Sequence, residues 1–194
     1  MISPTSLEPL QAPVAAIQRL IEKYDDQGII IGGVAASLLG QPRLTADADA
    51  LLLLSIDEVP RLIALAEAEG LHPRLPDAVD FARRSRVVLL RHTESGIDVD
   101  ISLGLLPFEV EAVERSQEYR AGSVTVRLPT PEDLIILKAV AHRPKDMLDI
   151  EAVITANPYL DKERIGYWVQ QFAELLEMPE LWTDVEKLLH AAQA

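Results

Sequence analysis

A chain of 194 residues, 48% of them hydrophobic, is long and apolar enough to bury a core, which excludes a disordered tail. It has no cysteine, which excludes a disulfide framework and any thiolate metal site. A net charge of −13 excludes a broad positive surface for non-specific nucleic-acid binding, though not a local basic cleft. The opening MISPTSLEPLQAP has neither a basic flank nor an apolar run and does not read as a secretory signal. No apolar run approaches a membrane span. These features fit a cytoplasmic protein without a membrane partner.

Val14, Ile17, Leu20 and Ile21 recur at helical spacing and predict a helix over residues 7–24, starting at Leu7. Asp25-Asp26-Gln27-Gly28 reads as a turn and residues 29–31 as a short strand ended by Gly32-Gly33. A short helix is expected over 34–39, broken by Gln41-Pro42. Residues 47–54 read as the next strand. Ser55 would cap a helix over 56–69, which Gly70 would stop. Strands are expected over 86–91 and 97–103, with Glu94-Ser95-Gly96 as the hairpin turn between them. A helix over 108–116 and an alternating strand over 123–128 follow. Thr130-Pro131-Glu132-Asp133 is a helix start, with Thr as the N-cap, Pro at the first position and acids in the first turn. From there the chain reads as helices over 131–142, 145–155, 161–176 and 179–192. The expected fold is α/β or α+β, with a mixed core over 1–128 and a helical region over 129–194 packed on it.

Within the second strand, Asp47 and Asp49 lie two residues apart between apolar neighbours. Strand side chains alternate, so the two carboxylates share a face and repel unless a cation stands between them. Carboxylate oxygens are the donors Mg²⁺ takes, especially beside phosphates. Just upstream, Gly32-Gly33 follows a strand and opens a helix, where the backbone can approach a phosphate. Asp98 and Asp100 repeat the pattern on a later strand. If that strand lies beside the first, its acids join the same cluster; if not, they line a solvent face. Two basic groups, Arg83-Arg84-Arg86 and Arg143-Lys145, read as solvated faces or local clefts. The four histidines show no metal-ligand spacing, and Trp168 and Trp182 read as core of the helical tail.

These residues resemble the nucleotidyltransferase superfamily of the DNA polymerase β type, and more narrowly its AbiEii-type toxin members. The likeness rests on Gly32-Gly33-Val34-Ala35, on Arg43-Leu44-Thr45-Ala46-Asp47-Ala48-Asp49, on VDISLGLLPFE, and on Lys138, Arg143, Asp146 and Asp149 within TPEDLIILKAVAHRPKDMLDI. It spans about residues 29–154. It implies transfer of a nucleotidyl group from a nucleoside triphosphate to an acceptor hydroxyl or phosphate. Asp47, Asp49 and Asp100 would hold Mg²⁺ or Mn²⁺, with Asp100 favoured over Asp98 by its spacing to Gly104. Gly32, Gly33, Arg43, Thr45, Lys138 and Arg143 would meet the nucleotide, and Lys138 and Asp146 would join the catalytic set. The acceptor could be RNA, protein or a small molecule, and an antitoxin a partner. Gly33 departs from the serine common in the family. The chain is also shorter than the well-studied toxins. An inactive nucleotide- or partner-binding protein of the same fold, or a nucleotide hydrolase, remains open.

Lys138 sits inside an apolar helix, where a cation either snorkels to water or meets an anion. That anion could be a triphosphate. Alternatively, Arg143 and the two aspartates tie the helices together.

Overall fold

A computed structural model describes residues 8–192. Leu7, the expected start of the first helix, lies outside the described residues. The chain divides into two compact units. One holds residues up to Val34 together with Arg43–Pro129; the other holds Ala35–Pro42 and the residues from Thr130 on.

In the first unit a short 3₁₀ turn leads into α1 (Gln11–Glu22), and β1 (Gly28–Ile31) runs directly into α2 (Gly32–Leu39). β2 (Asp47–Leu52) ends two residues earlier than its apolar run, with one further bond to the β1 side from the Leu53 amide to the Gln27 carbonyl at 2.9 Å. Ser55 caps as expected, but what it caps is a 3₁₀ turn; α3 (Val59–Ala68) begins after it, with Pro60 in its first turn. β3 (Leu71–Pro73) and α4 (Ala78–Ser85) follow, neither expected from the sequence. Arg86 leaves α4 in the left-handed region, so β4 (Val87–His92) starts one residue late. The hairpin to β5 (Asp98–Leu103) closes through Gly96, whose positive φ the turn requires. After α5 (Pro107–Glu114), β6 (Gln117–Ala121) pairs with β7 (Val124–Leu128) as a separate two-stranded ribbon.

The main sheet has the order β1-β2-β5-β4-β3. β2 and β5 run parallel, and every other neighbouring pair is antiparallel. One face carries Ala48, Ala50, Val99, Ile101, Val88 and Leu90, all fully buried. α1 and α3 pack on the sheet and on each other, bringing Ile17, Leu20, Ile21 and Leu62 into this core. The other face is where the polar partners of the alternation emerge.

The second unit is helical: α6 (Pro131–Ala141), α7 (Pro144–Ala156), α8 (Lys162–Leu175) and α9 (Glu180–Ala191). Thr130 caps α6 by accepting from the Asp133 amide at 3.2 Å. Asn157 closes α7 and donates to the carbonyls of Val153 and Leu39, both at 2.8 Å, which anchors the end of α2 inside this unit. Trp168 and Trp182 are half-buried rather than core. Among the described residues no helix is long and apolar enough to cross a membrane.

Candidate active site

The parallel pairing of β2 with β5 sets Asp47 opposite Asp98 and Asp49 opposite Asp100. Cross-strand partners in register point to the same side, so four carboxylates occupy two adjacent rows of one face. All four side chains are half-buried, while Ala48, Ala50, Val99 and Ile101 between them are sealed on the other face. The alternation of each strand therefore aims its acids outward, and the strand pairing brings them together.

Gly32 starts α2 at φ +65°, and a Cβ built on it would fall on the Asp49 carboxylate. Both the backbone angle and the space demand glycine here. Gly33 faces a similar obstacle: a Cβ there would strike the Thr45 hydroxyl and come within 3.4 Å of the Arg43 guanidinium. Thr45 Oγ1 thus fills the space that a side chain at position 33 would need. It donates to Asp47 Oδ1 at 3.0 Å. Gly32, Gly33, Arg43, Thr45, Asp47 and Asp49 accordingly form one cluster, all within the first unit. Gly32→Ala is expected to cost at least about 1–2 kcal/mol from the left-handed backbone alone. Chemical denaturation against wild type measures it, and an unchanged midpoint would remove the close approach to Asp49.

The same face carries cations towards its β3 edge. Arg74, just past β3, donates through Nη1 to Asp98 Oδ2 at 2.8 Å and through Nη2 to Asp100. Arg91 on β4, opposite Asp98 in register, donates to Asp98 Oδ1 at 2.7 Å. The hydrogen bond from Arg91 holds the Asp98 carboxyl below the ordinary range, against burial and with help from the Arg74 charge. Asp100 moves the other way: burial pushes it up, Arg74 opposes this, and the charges of Asp47 and Asp98 add to the rise. Sequence reasoning missed Arg74. Its only local signal is a basic residue after Gly70-Leu71-His72-Pro73, and its partners lie 24 and 26 residues ahead.

As placed, no three carboxylates or imidazoles among the described residues stand close enough to hold a metal ion. The donor chemistry nevertheless fits a divalent cation. Asp47, Asp49 and Asp100 offer hard oxygen donors on neighbouring strands, and Asp47 is near enough to Asp100 to raise its pKa.

Lys138, Arg143, Asp146 and Asp149 belong to the second unit and bind one another. Lys138 is only 4% exposed, so it does not snorkel. The anions it meets are Asp149, at 2.7 Å, and Asp146, at 3.2 Å. Arg143 Nε adds 2.6 Å to Asp146 Oδ2. Burial pushes the Asp146 carboxyl up, but the Arg143 hydrogen bond and the Lys138 charge outweigh it and hold Asp146 below the usual range. This is the helix-tying arrangement, α6 to α7, that the sequence left as one alternative. His142 ends α6 and reaches Asp184 at 3.3 Å.

A family profile described as "Nucleotidyltransferase of unknown function (DUF6036)" matches residues 8–164. The chain belongs to this nucleotidyltransferase family. The matched span contains every candidate residue above. No curated protein matches the chain. Two solved structures share the fold of this DUF6036 protein. An antigenic nucleotidyltransferase-like protein from Paracoccidioides brasiliensis is 14% identical, with 93% of this chain and 94% of that one covered, at a TM-score of 0.56. The antibiotic-resistance factor ANT(2'')-Ia is 18% identical over 87% of this chain and 95% of that one, at a TM-score of 0.55. At such identities the likeness speaks for the fold alone. The nucleotidyltransferase name gives the class of reaction and a nucleotide substrate, and the narrower AbiEii-type likeness has no counterpart in these matches.

The basic groups of this DUF6036 protein are local. Arg83 and Arg84 pair with Asp80 and Asp77 of their own region, at 3.1 and 3.5 Å. Arg86 turns inward and donates to the carbonyls of Leu103 and Gly104, at 2.8 and 3.3 Å.

Proposed function

We propose that the protein transfers a nucleotidyl group from a nucleoside triphosphate to an acceptor, using the carboxylate face of β2 and β5. The observation that carries this reading is the register of Asp47 and Asp49 against Asp98 and Asp100, with the start of α2 on Asp49. Asp47, Asp49 and Asp100 would hold Mg²⁺ or Mn²⁺. Bound there, such ions supply charge neutralisation at the triphosphate and activation of the acceptor oxygen. Gly32 and Gly33 let the backbone approach a phosphate at a helix N-terminus. Arg43 offsets charge on the leaving pyrophosphate, and Thr45 orients Asp47 through its hydrogen bond. Arg143, more than half exposed although bonded to Asp146, would meet an anionic substrate. Lys138 and Asp146 take a framework role in α6 and α7, since each other's charge already occupies them.

The test is incubation with each labelled nucleoside triphosphate, Mg²⁺ and a cell extract. Wild type is expected to label one class of acceptor (RNA, protein or small molecule) from a preferred nucleotide. Growth arrest on expression, absent in Asp47→Asn, would support the finer reading of an AbiEii-type toxin with an antitoxin partner. A second reading, a protein that binds nucleotide without transferring it, is favoured by the hold of Arg74 on Asp98 and Asp100. Saturable nucleotide binding with no labelled product in any extract would select it.

A further inference from the structure

Arg74 bridges two carboxylates of β5. Its guanidinium spans the third carboxylate of the proposed site and the neighbouring Asp98, in the position a cation must take to quiet those charges. Three observations bear on how firmly it sits. Arg74 and its two partners are only partly buried, at 24%, 32% and 39% side-chain exposure. Its Nε is buried yet has no hydrogen-bond partner among the described residues, so the fork is held by charge without a full set of bonds. A cavity of about 420 Å³ lined by His72, Pro73, Arg74, Arg91 and Thr93 adjoins it, giving the side chain room to turn. Asp98 keeps a second guanidinium, Arg91, whether or not Arg74 stays. Only Asp100 would be left to a new cation.

We infer that Arg74 is a built-in counter-cation that a divalent metal must displace from Asp100, so that the unloaded protein holds its site closed and loading turns Arg74 into the adjoining cavity. This rests on the nucleotidyltransferase reading with Asp100 as the third ligand. It adds a positioning residue that acts on metal loading before any chemistry. A guanidinium fork bridges two carboxylates, whereas an ammonium grips as a point charge, so the device depends on arginine and not on charge alone.

Mn²⁺ binding to the full chain, measured by calorimetry without nucleotide, tests it. Arg74→Gln is expected to bind Mn²⁺ at least tenfold more tightly than wild type, with Arg74→Lys between them. In wild type, modification of Arg74 by phenylglyoxal, read by peptide mass, should rise severalfold when Mn²⁺ is added; this arm does not depend on any variant folding. Equal or weaker binding by Arg74→Gln, Arg74→Lys identical to wild type, or unchanged modification would each overturn the exchange. If binding is equal in wild type and Arg74→Gln but lost in Asp100→Asn, the metal site stands and only the exchange falls. No binding to any of these proteins overturns both.

Discussion

Asp47→Asn and Asp49→Asn are each expected to reduce nucleotidyl transfer by at least about a hundredfold while leaving the fold intact. Groups that merely orient metal ligands cost about 10–100-fold when changed, so loss of a ligand should cost no less. The fold should survive because both side chains sit on the half-exposed face, and the core contacts come from Ala48 and Ala50 on the other. Asn keeps the shape and can still accept from Thr45 at position 47. It also removes one negative charge from a face where Asp47 raises the pKa of Asp100, so the melting temperature should hold or rise. Transfer of label from the preferred triphosphate and thermal melting, run on the same preparations, separate the two effects. Asp100→Asn should match these variants and Asp98→Asn should do less. A variant that keeps near-wild-type turnover would take its carboxylate out of the site.

Lys138→Met is expected to cost about 3–5 kcal/mol, the range for removing one partner of a buried ion pair. The apolar stem is conserved, so the loss is electrostatic: Asp146 and Asp149, at 0% and 5% side-chain exposure, keep their charges without the ammonium between them. Asp146 retains Arg143, which limits the loss on its side of the network. Both tryptophans lie in the second unit, so fluorescence-detected urea unfolding reads this unit directly. Removing the charges together, in Lys138→Met/Asp146→Asn/Asp149→Asn, should recover much of the loss. Acid should act in the same direction. The Asp146 carboxyl is depressed in the folded state, so its contribution is full above the ordinary carboxylate range and is lost as pH falls through the folded value. A cost under about 1 kcal/mol would mean the network is not a clamp. If nucleotide affinity fell with no change in stability, Lys138 would return to the nucleotide.

Local chemistry in the sequence determined a great deal. Alternation in 47–52 and 98–103 was enough to put each acid pair on one side of its strand, because side-chain direction depends only on backbone period. Thr130-Pro131 started α6 and Pro144 opened α7 where their caps and missing amides dictate. The glycines at 32 and 33 marked the strand-to-helix junction. Other elements left no local mark. β6 is polar and largely exposed and β3 is three residues long, so neither carries the hydrophobic period that identifies an element. α4 is only eight residues long, and no cap or apolar run marks the bounds of its amphipathic pattern, which buries Ala78 and Ala82. What only the tertiary structure decided is which side chains meet. The parallel pairing of β2 with β5 joined two acid pairs about fifty residues apart, and the β3 edge delivered Arg74 to them. The bend at Arg143-Pro144 brings Asp146 and Asp149 to Lys138 as its anionic partners. Charge pairing is a matter of distance in space, and a single sequence records distance only along the chain.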